Sequence, residues 1–462
     1  MFRISNVLMC IVFILTPFIG AMAANETYLA EVLVRERSNP VIHPRVWDAV
    51  AGKPSDARVA VWIFFTDKGI FSKGKYQAAC RQVERALPER AKWRRGKVNW
   101  AVDFTDLPVR RDYVEAVLSF GVKHRTTTRW FNGMSAEVGV GGLEEIGRLP
   151  FVREIRLVNE AKREPIRVER DLEKAPSPHP AYQLDYGPSL GQLEQINVPA
   201  VHELGYSGAG VIVCMLDTGF NRNHQALGHI DLIAEYDFIN RDDNTANEPG
   251  DPPGQESHGT STLSALGGAS SGHLYGPAYG AGFVLAKTED ISSETEVEED
   301  YWVAGIEWAD SLGADVASSS LIYLDWYTYE EMDGNTAIIT RAADMAAARG
   351  ILVCNAAGNE RDDEWYYIAA PADGDSILAC GAVDEVGQIA FFSSAGPTFD
   401  GRIKPEVVAR GYYTRIADPS NPQGYYDGAG TSFATPLVGG AAALLLEAHP
   451  EVEEGRHNVY EG

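Results

Sequence analysis

The pattern of apolar and polar positions divides the chain into two parts with different predicted elements. Between residues 58 and 157, short apolar runs alternate with amphipathic segments in the order strand, helix, strand, strand, helix, strand. This order is typical of a small ferredoxin-like α+β unit. We predict strands at 59–65, 122–125, 134–140 and 151–157, and helices at 72–87, 111–120 and 143–148.

From Val211 onward the apolar runs are stronger, and they alternate with longer amphipathic helices. Such alternation predicts an α/β fold, a parallel sheet with helices on both faces. Functional groups of such folds lie at the carboxyl ends of the strands. We predict strands at 211–216, 282–287, 316–320, 351–356 and 377–383, and helices after residue 258 and at 300–312, 336–349 and 434–448.

The segments around these two parts predict four regions. Residues 1–23 combine Arg3, an apolar stretch and an Ala-Met-Ala end, a pattern typical of a secretory signal peptide. Residues 24–157 form a basic leading part, structured from about residue 58. Five prolines make 158–189 a linker. The α/β part occupies 190–462.

Charge separates the two halves. Lys and Arg minus Asp and Glu give 29 − 22 = +7 for residues 1–190 and 11 − 43 = −32 for residues 191–462. An acidic α/β half argues against nucleic acid as a partner, because it would repel the phosphates, and we expect no nucleic-acid partner. The basic half is expected to dock on it in cis. Cys214, Cys354 and Cys380 lie in apolar runs and are expected to be buried free thiols.

Three short motifs carry candidate chemistry. Asp217 ends an apolar run and precedes Thr-Gly, His258 lies in Ser-His-Gly-Thr, and Ser432 lies in Gly-Thr-Ser-Phe-Ala-Thr-Pro. A serine nucleophile needs a base, and an aspartate orients that base. Taken singly, the same residues could be a turn aspartate, a helix-cap neighbour and a helix N-cap. Their order, Asp then His then Ser, favours a catalytic triad.

Asn359 ends the segment Ala-Ala-Gly-Asn and is the candidate donor to a developing oxyanion. These four motifs together resemble the landmarks of the subtilases, the subtilisin-like serine peptidases. The resemblance implies a subtilisin-like sheet, the triad Asp217, His258 and Ser432, and an inhibitory propeptide before the linker. It implies that the enzyme cuts its own linker at an undefined bond.

The resemblance also implies where a substrate binds. Residues 316–321 match the family's edge strand, which pairs with an extended substrate. The expected substrate-binding residues are Ser318, Ser319, Ser320, Leu321, Ala357 and Gly358. Ile322 stands where the family has glycine and is expected to narrow the cleft or to move the loop. The aromatic residues at 323–329 either line apolar subsites or pack as a surface loop, and the acidic run 294–300 serves either as helix N-terminal charge or to select basic substrates.

No cofactor is expected for the chemistry, and structural calcium is left open for the loops at Asp242 and Asp333. The expected partners are polypeptide substrates and the propeptide in cis. We expect a monomer that is secreted, extracellular or periplasmic, with no membrane partner after signal removal.

The sequence after residue 450 is short and charged, and by the resemblance we expect a C-terminally incomplete catalytic domain. The favoured function is a secreted serine endopeptidase made as a self-processed zymogen. The alternative is a catalytically impaired protein that binds peptides as a decoy. Acid-active sedolisin relatives use a glutamate where His258 stands, which argues against that third class.

Overall fold

The computed structural model describes residues 34–158, 182–292 and 297–449, and the backbone of 160–161 and 294–295. The predicted signal peptide, most of the linker and the chain after residue 449 lie outside these ranges. The chain divides into two compact units. The first comprises Met1–Ala86 and Val102–Val158, and the second comprises Leu87–Ala101 and Asn159–Gly462.

The first unit is a four-stranded antiparallel sheet in the order β2-β3-β1-β4. This is the predicted ferredoxin-like arrangement, in which β2 and β3 form a hairpin and β1 pairs with β3 and β4, both distant in sequence. Its strands are β1 (Arg58–Phe65), β2 (Lys123–Thr128), β3 (Gly133–Gly139) and β4 (Val152–Leu157), and its helices are α1 (Pro44–Val50), α2 (Lys73–Ala86), α4 (Arg111–Leu118) and α5 (Leu143–Gly147).

The core of this unit follows the alternation of β1. Val59, Val61, Ile63 and Phe65 all point to one face, where they pack with side chains of the other strands and of the helices. On α4, Tyr113 and Val117 are the buried positions, four residues apart as an amphipathic helix requires.

The second unit contains a seven-stranded sheet in the order β15-β14-β13-β12-β6-β10-β7, with all neighbouring pairs parallel. This confirms the predicted α/β class. The sheet strands are β6 (Ile212–Asp217), β7 (Asp231–Asp237), β10 (Gly282–Lys287), β12 (Val316–Ser319), β13 (Leu352–Ala356), β14 (Leu378–Val383) and β15 (Val407–Arg410).

The remaining elements of this unit surround the sheet. Its helices are α3 (Glu89–Lys97), α6 (Leu190–Glu194), α7 (Val198–His202), α8 (Ser257–Gly267), α9 (Val297–Leu312), α10 (Ile338–Ala348) and α11 (Thr431–Ala448). Short antiparallel pairs join β5 (Glu160–Ala161) with β11 (Glu294–Thr295), β8 (Ala269–Ser270) with β9 (Leu274–Tyr275), and β16 (Tyr412–Ala417) with β17 (Tyr425–Ala429).

Helices cover both faces of the sheet, and the alternation along β6 shows it. Val213 and Met215 belong to a core cluster with side chains of α8 and α11. Leu216 points to the other face, where a Cβ added to Gly305 of α9 would lie 3.1 Å from Leu216 Cδ2. Burial on both faces explains why the strand is apolar throughout.

The last helix, α11, is long and apolar enough to cross a membrane, and it is the one such helix among the described residues. Within the unit, 67% of its apolar stretch is buried. It packs on α8 and on strands β12 to β15, as the central helix of a packed core does. Core burial therefore accounts for its composition.

Candidate active site

Asp217 is the last residue of β6 and is completely buried. Three donors satisfy its carboxylate. Oδ1 accepts from the Thr218 amide at 2.7 Å and from His258 Nδ1 at 2.7 Å, and Oδ2 accepts from Thr262 Oγ1 at 2.9 Å. A buried charge requires such partners, so the carboxylate and the imidazole position each other.

His258 lies in the first turn of α8 and is 8% exposed. Because Nδ1 donates to Asp217, the ring presents Nε2 as its basic nitrogen. Nε2 is buried and has no hydrogen-bond partner among the described residues. The geometry leaves this nitrogen available to take a proton.

Ser432 is the second residue of α11 and is 7% exposed. Its Oγ donates to the Ser320 carbonyl at 3.3 Å, and Ser320 Oγ donates to the Ser432 carbonyl at 2.8 Å. The next residue, Phe433, has its ring centroid 6.2 Å from that of His258. The starts of α8 and α11 therefore lie near each other, with Ser432 Oγ bonded to the Ser320 carbonyl and not to His258 Nε2.

Asn359 is oriented by Thr431, whose amide and hydroxyl donate to Asn359 Oδ1 at 2.8 and 3.1 Å. This leaves Nδ2 as a donor. A Cβ built on Gly430 would lie 3.8 Å from Asn359 Nδ2 and 3.7 Å from the Ser432 amide nitrogen. Gly430 has φ +149°, a conformation that side chains disfavour. Two donors thus flank one space at a helix N-terminus, an arrangement suited to an oxyanion.

The prediction of a free edge strand is wrong for residues 316–319. β12 pairs with β13 on one side and with β6 on the other, so it has no free backbone edge. Ser319 Oγ accepts from Trp302 Nε1 at 2.9 Å, and a Cβ on Gly439 would lie 3.4 Å from Ser318 Cβ. Both serines are fully buried under helices and are not placed to contact a substrate.

The other predicted substrate residues lie at the carboxyl end of the sheet. Ser320 adjoins Ser432, and Leu321 follows it. Gly358 donates its amide to Thr431 Oγ1 at 3.3 Å, and a Cβ on Gly358 would lie 3.3 Å from Ile322 Cδ1. Ile322 therefore packs against the turn at Ala357 and Gly358. That this turn binds substrate stays a prediction.

The aromatic and acidic segments contact each other. Trp326 Nε1 donates to Glu299 Oε1 at 3.1 Å, and Tyr327 OH donates to the same oxygen at 2.9 Å. Glu299 is 1% exposed. Tyr323 OH donates to the buried Glu289 at 2.8 Å. These contacts favour packing of the loop over a free acidic subsite.

Thr262 and Thr431 were missed by sequence reasoning, although each orients a candidate site residue. Thr262 lies four residues after His258, on the same face of α8. That spacing was a usable signal, since side chains at i and i+4 on a helix are neighbours. Thr431 adjoins Ser432, but its partner Asn359 is 72 residues away, so no local pattern indicates the contact.

The acidic side chains of the two loops considered for calcium already have protein partners. Asp237, Asp242 and Glu248 form an acidic group, but Lys287 Nζ lies 2.7 Å from Asp237 Oδ2 and from Asp251 Oδ2. The lysine already supplies positive charge there. At the other loop, Asp333 accepts hydrogen bonds from Asn335 and Thr336 in a local turn.

Burial governs other titratable groups of this unit. It raises the pKa of Glu360, which follows the oxyanion candidate Asn359. It also raises the pKa of the Cys214 and Cys380 thiols. All four described cysteines are free, and three are buried, as expected from the sequence. Protonated buried thiols are poor nucleophiles, so the serine remains the candidate.

Replacing Lys287 with methionine is expected to lower the free energy of unfolding by about 3–5 kcal/mol, because Asp237 would remain buried without its cation. Urea unfolding measures this change. The matched control is Arg222→Met, which breaks a partly exposed pair with Glu235 and should cost about 0–1 kcal/mol. Equal losses in the two variants would contradict the assignment.

Replacing Thr262 with valine should cost about 1–3 kcal/mol, because one buried oxygen of Asp217 loses its donor. Urea unfolding measures the cost, and the proton NMR signal of His258 Nδ1–H reports whether the imidazole keeps its partner. Thr262→Ser retains the hydroxyl and is the control. A valine variant with wild-type stability and an unshifted Nδ1–H signal would refute the role given to Thr262.

Comparison with known proteins agrees with this geometry. The model of the subtilase family matches residues 208–458, and that of the Peptidase S8 propeptide domain, Bacteroidota, matches residues 60–173. Subtilisin E of Bacillus subtilis (strain 168) is 33% identical over 61% of this chain and 68% of its own length. Subtilisin of Bacillus pumilus is 34% identical over 56% of this chain and 84% of its own. Serine protease AprX of Bacillus subtilis (strain 168) is 29% identical over 53% and 59%.

These matches lie with peptidases and do not support the alternative of a decoy. The chain belongs to the subtilase family, as a serine-type endopeptidase that carries a propeptide and needs no cofactor for catalysis.

Proposed function

We propose that the chain is the zymogen of a secreted endopeptidase in which Ser432 is the nucleophile, His258 the general base and Asp217 the residue that orients it. The observation that best supports this is the buried Asp217–His258 hydrogen bond of 2.7 Å, which leaves His258 Nε2 for a proton, on a helix that packs against α11, where Ser432 is the second residue.

Each step of the reaction has a residue suited to it. Ser432 Oγ attacks the peptide carbonyl carbon while His258 Nε2 accepts its proton, and the carbonyl oxygen gains the electron pair. Asn359 Nδ2 and the Ser432 amide donate to that oxygen. The C–N bond then breaks as His258 gives its proton to the leaving amine. In the second half of the reaction, water attacks the acyl carbon while His258 takes its proton. The bond to Ser432 Oγ then breaks, and the serine regains a proton from His258.

The short strand pair of β5 and β11 supports self-processing. Glu160–Ala161, at the start of the predicted linker, pairs antiparallel with Glu294–Thr295 in the register Ala161 with Glu294. Main-chain pairing of this kind is how extended peptides are held by sheet edges. We infer that the linker enters the cleft as a substrate strand and is cut within residues 158–189.

The architecture proposed for the zymogen is a signal peptide (1–23), a propeptide (24–157), the linker and the catalytic domain (190–462). Its partners are polypeptide substrates and its own propeptide. The acidic catalytic part supports the exclusion of nucleic acid. We further propose that the protein is exported from the cytoplasm, that it has no membrane partner once the signal peptide is removed, and that it is a monomer.

Ser432→Ala should leave the full-length chain uncut, because no nucleophile remains, whereas the wild-type chain should be cut in the linker. Expression in a protease-deficient host, gel electrophoresis and N-terminal sequencing check this. A fluorophosphonate probe should label the wild type only. An alanine variant that matures unaided would rule out self-processing.

Asn359→Ala should lower kcat by about 10²–10³-fold with little change in KM, because the lost donor acts mainly on the transition state. Steady-state kinetics on a peptide substrate provide the measurement. Asn335→Ala, at an exposed turn, is the control and should retain full kcat. A rise in KM at constant kcat would show that Asn359 binds substrate instead.

A further inference from the structure

A basic segment of the propeptide sequence belongs structurally to the catalytic unit. Leu87–Ala101 lies inside the propeptide match of residues 60–173, yet it groups with the second unit. Its 15 residues carry five Lys or Arg and one Glu, a net charge of +4. The segment forms helix α3, in which Arg94 and Arg95 are buried.

The segment contacts the carboxyl ends of α9 and α10. The last carbonyls of a helix lack intrahelical partners and carry partial negative charge. Arg94 donates to carbonyls at the end of each helix. At the end of α9, its Nη2 donates to the Asp310 carbonyl at 3.2 Å and its Nη1 to the Ala314 carbonyl at 2.5 Å. Just after α10, its Nε donates to the Arg349 carbonyl at 3.1 Å.

Asp310 supplies the carboxylate at the centre of this contact and is completely buried. Arg94 Nη2 donates to its Oδ1, and Arg95 Nη2 donates to its Oδ2. Arg95 Nε also donates to Oδ1 at 3.2 Å. Removing the helix would take two cations from a buried carboxylate and leave Arg349, whose Nε is 4.0 Å from Oδ2.

Shape and further charge support the same contact. Gly313 ends α9 with φ +87°, and a Cβ there would lie 3.0 Å from the Ala91 amide nitrogen. A larger residue would keep α3 away. Arg90 pairs with Asp315, and the Arg349 guanidinium lies over the Trp100 ring at 4.8 Å. No contact named here involves Asp217, His258, Asn359 or Ser432.

We propose that Asp310 and the carbonyls beside it form a binding site for an arginine-rich helix, and that Leu87–Ala101 is the occupant that anchors the propeptide on the catalytic domain. The anchor holds the propeptide after the linker is cut, a consequence that rests on the proposed zymogen function. Release then requires separation of a +4 segment from an acidic domain, so rebinding should be faster at low salt.

The test uses the full-length Ser432→Ala chain, so it does not depend on self-processing. A protease specific for Lys and Arg is added briefly to open the linker, whose basic residues are Lys162, Arg163, Arg167, Arg170 and Lys174. Mass spectrometry confirms the cut. Gel filtration across a dilution and salt series then measures how tightly the propeptide stays bound.

The informative variant adds Arg94→Gln and Arg95→Gln, and the matched control adds Lys92→Gln and Lys97→Gln. Both remove two charges from the same helix, but Lys92 and Lys97 are not buried in it. We expect the arginine variant to raise the dissociation constant at least tenfold and the control to change it less than threefold. Equal dissociation constants, or equal losses in both variants, would overturn the proposal.

Hydrogen exchange keeps the proposal testable if the arginine variant does not fold. In the uncut Ser432→Ala chain, the amides of Glu89–Lys97 should exchange at least 100-fold more slowly than an unstructured peptide, because a nine-residue helix is marginal without packing. Exchange at the unstructured rate would show that the helix is not docked. The result is independent of any peptidase activity.

Discussion

The buried carboxylate of Asp217 is the constraint on which the candidate active site depends. It lies at the end of the interior strand β6, between β10 and β12, where the sheet excludes water. Three donors compensate the cost of its burial, and one of them is His258. Strand position, helix α8 and imidazole orientation are thereby coupled, so that a shift in one disturbs the others.

The rest of the candidate site lies at the carboxyl end of the same sheet, around the start of α11. Ser432 gains from the N-terminus of α11, where its amide has no intrahelical acceptor. Asn359 is held by Thr431 of the same helix start, so the candidate nucleophile and the candidate oxyanion donor are coupled in position. Gly430 keeps the space between the two donors free of a side chain.

A second buried carboxylate, Asp310, uses the same physics at the carboxyl ends of α9 and α10. There the compensating cations come from the propeptide sequence, not from the catalytic domain alone. The charge contrast between the halves of the chain, +7 against −32, thus has a local counterpart in specific ion pairs. The charge contrast is thereby expressed in buried, directional ion pairs of Arg94 and Arg95 with Asp310.

The sequence by itself determined the class of both folds and indicated the four motif residues as candidates for the site. Period-two and helical alternation is local, so β1, β10, α4 and α9 were predicted close to their observed bounds. Helix α3 was not predicted, because it is strongly polar and Gly96 and its six charged residues leave little apolar pattern. β7 and β15, at the edges of the sheet, were missed for the same reason: their polar or exposed residues weaken the pattern.

Only the tertiary structure decided which polar residues meet. Residues 316–319 have the composition of any buried strand, and their place between β6 and β13, which removes the predicted free edge, follows from sheet order. The contacts of Thr431 with Asn359 and of Arg94 with Asp310 join residues 72 and 216 positions apart. Local motifs therefore indicated Asp217, His258, Ser432 and Asn359 as candidates. Long-range packing decided their supporting partners, because hydrogen bonds and ion pairs depend on distances that sequence spacing does not encode.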